Sequence, residues 1–134
     1  MPQIANIVVK KADGTTDITY TAVCPAAGSD PAVFKSQTVG TSPGQQPELR
    51  CSGKGRVAKG SPYRDLTLTY KYPKSVANTT TGEITLSEGF SASVTAHVNQ
   101  TMPAADIKEA AYQFGNLVAS ALIKSVLNDG YAPI

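Results

Sequence analysis

Over residues 63–72, and again over 89–99, the chain changes character at every second position. In Tyr63 to Tyr72, Leu66, Leu68, Tyr70 and Tyr72 fall on one side and Asp65, Thr67, Thr69 and Lys71 on the other. That is the period of a strand with one apolar face. Gly89 to Asn99 repeats it, with Phe90, Ala92, Val94, Ala96 and Val98 opposite Ser91, Ser93, Thr95 and His97. Glu48 to Lys59 alternates too: Leu49, Cys51 and Val57 lie on one face, Arg50, Ser52, Lys54 and Arg56 on the other. Gly53 and Gly55 fall on the apolar side of this strand, which points to close approach of another element, or to a bend or bulge. Upstream, residues 4–23 read as a hairpin around a type I′ turn at Asp13-Gly14. Ala32 to Val39 reads as a weak third strand, and Thr41 to Pro47 as a loop. Gly60-Ser61-Pro62 is expected to turn the chain, and Pro73 to end the strand before it. Ser75 to Gly82 then forms a polar loop, and Glu83 to Leu86 a short strand.

After residue 100 the apolar period lengthens to that of a helix. Thr101 is the expected N-cap, with Pro103 in the first turn. Ala104, Ile107, Ala111 and Phe114 share one side. Gly115-Asn116 predicts a break, and Leu117 to Leu127 a second helix closed by Asn128-Asp129-Gly130. This second helix is apolar nearly all round: only Ser120, Lys124, Ser125 and Asn128 give it a polar stripe. A helix of that kind is buried on most sides, and two helices laid on one sheet face cannot bury it so completely. Phe114, Leu117, Val118, Leu122 and Val126 are therefore expected to pack against a second subunit. The sum is an α+β chain, residues 1–134 as a single domain: hairpin 4–23, main antiparallel sheet 32–99, helices 102–128.

Composition sharpens this picture. The 134 residues are 41% hydrophobic and 16% charged, which argues against disorder, and no run is long enough for a membrane helix. Thr (14) and Ser (11) take the place of charge, and they concentrate on the polar faces of the strands. The net charge of +2 hides an asymmetry: Arg50 to Lys74 holds seven cations against one acid, Asp65, a local +6 that leaves −4 for the rest. Hydroxyls and cations on one sheet face suit phosphate oxygens, and Tyr63 offers a stacking surface for an unpaired base. A plain solvated face is the competing reading. Cys24 and Cys51 match no metal spacing, and two free thiols in a reducing compartment are expected, with a disulfide as the alternative. Met1-Pro2-Gln3 opens no signal-peptide pattern. The single histidine, His97, has no acid or Cys at a recognisable spacing, and no phosphate loop, nucleophile elbow or metal cluster occurs. Neither catalysis nor a cofactor is expected.

The order of elements resembles the coat proteins of small single-stranded RNA bacteriophages, the levivirus type. The resemblance covers essentially the whole chain: the Asp-Gly hairpin, the two long central strands, Tyr70-Lys71-Tyr72-Pro73-Lys74, the polar loop, a further long strand and two terminal helices. Leu117 to Ile134 is especially similar. The resemblance implies an intertwined dimer with one continuous sheet, the helices of each subunit clasping the other. It implies a T=3-type icosahedral shell, helices outward and polar sheet face inward on the genome. It implies contacts between dimers through the loop near Ser75, Asn78, Thr80 and Gly82. It also implies binding of an RNA hairpin that represses replicase translation. The matching RNA-facing positions are Arg50, Ser52, Lys54 and Arg56, then Thr67, Thr69 and Lys71, then Ser91, Ser93 and Thr95. A Thr-x-Lys pair of the family has two possible placements, at Thr67 or at Thr69, and the family's aromatic stacker has no counterpart. The partners so implied are a second copy and single-stranded RNA, with no membrane, in a virion assembled in bacterial cytoplasm. A cellular single-strand nucleic-acid-binding domain would share the basic face without forming shells. A fimbrial subunit is disfavoured by the helical C-terminus.

Overall fold

A computed structural model describes residues 2–38 and 42–133, with Ser87 and Glu88 described by backbone alone. Six strands come first: β1 (Ile7–Lys10), β2 (Asp17–Cys24), β3 (Ala32–Lys35), β4 (Glu48–Ala58), β5 (Ser61–Ala77) and β6 (Ile84–Asn99). Two helices follow, α1 (Ala104–Val118) and α2 (Ala121–Asp129). The strands form one antiparallel sheet whose spatial order repeats the chain order. The expected end of the third strand at Val39, the start of the loop at Thr41, and the terminal Met1 and Ile134 lie outside the described residues. The remaining loop contains one turn of 3-10 helix, Pro43–Gln45.

Turn chemistry moves several boundaries. The β1–β2 turn is wider than a two-residue I′ turn, because only Gly14 (φ +72°) adopts the left-handed conformation that I′ geometry needs at both central residues. Asp13 instead holds the loop together: its carboxylate accepts the Thr15 and Thr16 N–H groups at 2.9 Å and the Thr16 hydroxyl at 2.5 Å. The I′ signature lies at Lys59 (φ 49°) and Gly60 (φ 77°), which join β4 to β5. Ser61 and Pro62 thus belong to β5 rather than to the turn.

Pro73 does not end its strand. β5 runs through it to Ala77, and the two short strands expected after it are one strand, β6. Tyr72 pairs with Phe90 and Pro73 with Glu88, so Gly89 is the extra residue of a bulge. Beyond Lys71, the partner of Glu48, β5 has no β4 neighbour, so a residue without an N–H interrupts no ladder on that side. A Cβ at Gly89 would lie 3.0 Å from the Tyr72 carbonyl oxygen and 3.3 Å from Lys74 Cβ. Glycine is therefore required where the bulge folds back.

The helices also depart from the expected pattern. Thr101 is not an N-cap: its N–H and hydroxyl both donate to Asn99 Oδ1, at 2.9 and 2.7 Å, and α1 begins only after Pro103. α1 continues through Gly115-Asn116, since one interior glycine weakens a helix without ending it. The break lies at Ala119-Ser120, where the Ser120 hydroxyl accepts the Ile123 N–H. Gly130 (φ 74°) closes α2 as expected, its N–H donating to the Val126 carbonyl at 2.9 Å.

What holds the chain together is small. Tyr20 (9% exposed) and Phe34 (7%) are its buried apolar side chains among the described residues, beside fully buried Pro47 and Ser36. Tyr20 and Tyr70 share a hydroxyl hydrogen bond of 2.9 Å, and the rings of Tyr20, Tyr70 and Phe90 run in sequence with centroids 6.2 and 6.1 Å apart. Burial, then the bond to Tyr20, pushes the Tyr70 hydroxyl well above the usual phenol range. Neither helix buries a residue. The apolar sheet face is left uncovered by the chain's own helices: Leu66 and Leu68 are each 42% exposed. The accessible surface is 10051 Å². A folded monomer of 14.0 kDa exposes about 6,700 Å².

Candidate nucleic-acid interface

The β4–β5 register is unbroken from Glu48↔Lys71 to Ala58↔Ser61, and β6 continues it. Five rungs cross the three strands on one face: Glu48–Lys71–Ser91, Arg50–Thr69–Ser93, Ser52–Thr67–Thr95, Lys54–Asp65–His97 and Arg56–Tyr63–Asn99. Side chains alternate across a strand, so all ten positions read from the sequence (Arg50, Ser52, Lys54, Arg56, Thr67, Thr69, Lys71, Ser91, Ser93 and Thr95) share that face. No bulge at Gly53 or Gly55 disturbs it. Both placements of the Thr-x-Lys pair lie on it. From β3, Lys35 joins opposite Glu48.

The face is less basic than the run of cations suggests, because two carboxylates sit among them. Glu48 lies one residue pair outside the +6 segment and accepts hydrogen bonds from Arg50 and from Lys35, the latter at 3.2 Å. Burial pulls the Glu48 carboxyl upward, but these two cations outweigh it and hold it below the usual value. Asp65 accepts His97 Nδ1 at 2.7 Å and Arg56 Nε at 2.5 Å. The bond from His97, then that from Arg56, holds the Asp65 carboxyl low against a smaller opposing effect of burial. His97 thus has an acidic neighbour that no sequence spacing signals. Its neighbour is across the strand, 32 residues away in sequence. The sequence carried that signal only through register: Asp65 and His97 occupy the same parity on adjacent strands. Lys54, directly opposite Asp65, forms no ion pair among the described residues.

Arg56 also lies over the Tyr63 ring, 5.0 Å from its centroid. One ring face is thus already stacked by a guanidinium. At the far end, Glu48, Arg50, Lys71 and Ser91 line a cavity of about 420 Å³ together with Pro43 of the 3-10 turn, Lys35 of β3, and Tyr72, Leu86 and Phe90. Such a space fits a planar heterocycle beside a charged group. Among the described residues no three His, Cys, Asp or Glu side chains cluster to hold a metal.

The other expected positions divide as follows. Phe114 (51% exposed), Leu117 and Val118 lie on α1, and Leu122 and Val126 on α2; all but half-buried Val126 are exposed. Ser75 is part of β5, not of a loop; the loop tip holds Asn78, Thr80 and Gly82. Asn78 Oδ1 accepts the Thr80 N–H at 2.8 Å, and the Gly82 N–H donates to the Asn78 carbonyl at 2.8 Å. The former loop is thus a projecting arm of two paired strands. Cys24 and Cys51 are both free thiols, and burial pushes Cys51 up. No helix is long and apolar enough to cross a membrane among the described residues.

No family model matches the chain, and no curated protein matches it significantly. Solved structures do. The subunit of a virus-like particle of Beihai levi-like virus 21 superposes with a TM-score of 0.80 at 22% identity, covering 99% of this chain and 98% of that one. A virus-like particle of bacteriophage ESE058 gives 0.76 at 16%, covering 99% and 100%. The bacteriophage GA protein capsid gives 0.66 at 17%, covering 95% of each chain. An antiparallel sheet followed by two C-terminal helices, matched end to end, is the coat-protein fold of the small RNA bacteriophages.

Proposed function

We propose that the chain is a structural coat subunit that dimerises, assembles into an icosahedral shell and packages single-stranded RNA. One observation carries this reading: the two faces of the sheet differ in chemistry, and the helices cover neither. One presents ten hydroxyl and cationic residues in register. The other presents leucines, valines and aromatics to solvent, beside two helices with no buried residue. The surface exceeds that of a folded monomer by roughly 3,300 Å² per chain, well above the roughly 800 Å² per partner of a standard interface and on the scale of an obligate one. β6 adds a 16-residue edge with no partner strand among the described residues, and pairing it with a second β6 makes one continuous sheet across a dimer. Phe114, Leu117, Val118, Leu122 and Val126 then clasp the second subunit. The arm around Asn78, Thr80 and Gly82 meets other dimers.

The polar face turns inward on RNA. Cations neutralise phosphates, and Ser and Thr hydroxyls bind phosphate oxygens and base edges. Repression of translation through one RNA hairpin is the finer form of the same contact, with the cavity at Arg50 and Lys71 receiving an unpaired base. The role is structural, not enzymatic, and requires no cofactor; the protein resides in the virion.

Electron microscopy of the expressed protein, with the 260/280 nm absorbance ratio of the same fraction, tests the proposal. Uniform RNA-containing shells are expected. A soluble nucleic-acid-binding protein without particles would instead fit the cellular binding domain. Lys54→Glu with Arg56→Glu should leave dimers folded and lower the RNA content of particles. Unchanged RNA content refutes the assigned face.

A further inference from the structure

Glu48 is an odd residue for a face suited to phosphates. It stands in the rung Lys35–Glu48–Lys71–Ser91, which crosses four strands at one end of that face. A carboxylate there repels an RNA backbone and offsets a neighbouring cation. Its position is fixed from two sides. Arg50 Nε donates to Oε1, and Lys35 Nζ reaches Oε2 at 3.2 Å. Lys35 Nζ also lies 3.5 Å from the Pro43 carbonyl oxygen, so one ammonium ties the carboxylate to the 3-10 turn. That turn lies close over the sheet: a Cβ on Gly44 would sit 3.6 Å from Leu86 Cδ1. The Glu48 side chain is only 14% exposed, and it borders the cavity of about 420 Å³. Pro43, Tyr72, Leu86 and Phe90 give that cavity apolar walls.

An ionised carboxylate accepts hydrogen bonds and donates none, with about four lone-pair sites over its two oxygens. Arg50 and Lys35 use one on each oxygen, which leaves acceptor capacity on both. Burial pulls the carboxyl upward, but Arg50 and then Lys35 outweigh it and hold it below its usual value, so it is ionised at neutral pH. Two adjacent acceptors are matched by an edge with two adjacent donors. Among the four RNA bases only guanine has one, N1–H beside the N2 amino group. Adenine and cytosine offer an amino group beside a bare ring nitrogen, whose lone pair would face a carboxylate oxygen. Uracil sets its single N–H between two carbonyls. Guanine also carries acceptors at O6 and N7, which arginine commonly meets, and Arg50 lines the same cavity.

We propose that the cavity at Glu48 selects guanine in single-stranded RNA, with the Glu48 carboxylate accepting from N1–H and the N2 amino group together. The inference rests on the RNA-binding reading above and adds which base the cavity admits. Glu48 then reads a base where its neighbours hold phosphates, which is why an acid stands on this face.

Fluorescence anisotropy of the full-length protein with labelled oligouridine probes tests the selection. The probes differ only in one central nucleotide: uridine, adenosine, cytidine, guanosine or inosine. The guanosine probe should bind at least about fivefold more tightly than the adenosine, cytidine and uridine probes. Inosine keeps N1–H and lacks the 2-amino group, so it should bind more weakly than guanosine. Glu48→Gln, checked for fold by circular dichroism, sets one acceptor beside one donor, the pattern that suits adenine. Loss of the negative charge should tighten every probe, and the ratio between probes cancels that effect. The guanosine-to-adenosine ratio should therefore reverse. Equal affinity for all probes overturns the selection and leaves RNA binding standing. Inosine as tight as guanosine overturns the two-donor contact without any variant. A guanosine preference that Glu48→Gln leaves unchanged overturns Glu48 as the reader. Binding of none of the probes overturns the RNA-binding reading itself, and the selection with it.

Discussion

Lys54 and Arg56 are two residues apart on one strand and one face, yet their contributions to RNA binding should differ. Arg56 already holds Asp65 Oδ2 at 2.5 Å, and Lys54 has no such partner among the described residues. A phosphate that binds Lys54 releases the counterions it held. A phosphate that binds Arg56 must first displace a carboxylate. Each phosphate neutralised on a single strand contributes about 0.7 to the slope of log affinity against log salt. Lys54→Gln should therefore lower that slope by about 0.7 per subunit, and at ~0.1 M salt weaken binding about fivefold per site. Arg56→Gln with Asp65→Asn removes a neutral pair as a unit, and the slope should stay within about 0.2 of wild type. Removing Arg56 alone is not equivalent, because it exposes the Asp65 charge to the RNA. Fluorescence anisotropy of a labelled single-stranded oligonucleotide, titrated between about 50 and about 400 mM KCl, reads both slopes. If the double substitution lowers the slope as much as Lys54→Gln does, Asp65 does not hold Arg56 in the complex and the reasoning fails.

Three further outcomes follow from the same structure. Leu122→Asp places a carboxylate at a position 60% exposed in the lone chain and expected to be covered in the dimer; it should abolish dimers on sizing, and soluble wild-type-like dimers would refute the clasping role of the helices. Gly89→Val forces a side chain against the Tyr72 carbonyl oxygen and should cost about 1–3 kcal/mol, read as a lower urea midpoint; an unchanged midpoint would show that the bulge relaxes freely. The Thr16 hydroxyl and N–H, then the Thr15 N–H, hold the Asp13 carboxyl down at about 2, from an ordinary 3.8. Because the folded value is the lower one, the loop's stabilisation is complete above about pH 4 and is lost as pH falls through about 2. Amide exchange at Thr15 and Thr16 should accelerate in that window, and Asp13→Ala should remove the pH dependence.

The alternation of Tyr63–Tyr72 and Gly89–Asn99 made the two faces legible without coordinates, because period two admits one assignment once a face is apolar. What alternation does not carry is contact across strands. Asp65 and His97 met only when register was known, and so did Glu48 with Lys35. Local rules misplaced the boundaries where tertiary structure outweighed them. Pro73 was tolerated by a bulge at a point where β4 had ended. Gly115 was tolerated by a helix that continued. The Asp13-Gly14 pair was spent on a side-chain-stapled loop instead of a tight turn. The all-round apolar second helix predicted a partner from the sequence, and the exposed surface is an independent observation that supports the same proposal.

The sheet is a strict meander: each strand pairs with the one made just before it. A ribosome delivering this chain from its N-terminus can therefore zip the strands in order, with every pairing closing only a short stretch of chain. β6, whose outer edge is bare over 16 residues, is the last strand to appear, and the helical arm follows directly. In the proposed dimer, the edge and the arm that meet the second copy are thus made after the sheet they extend.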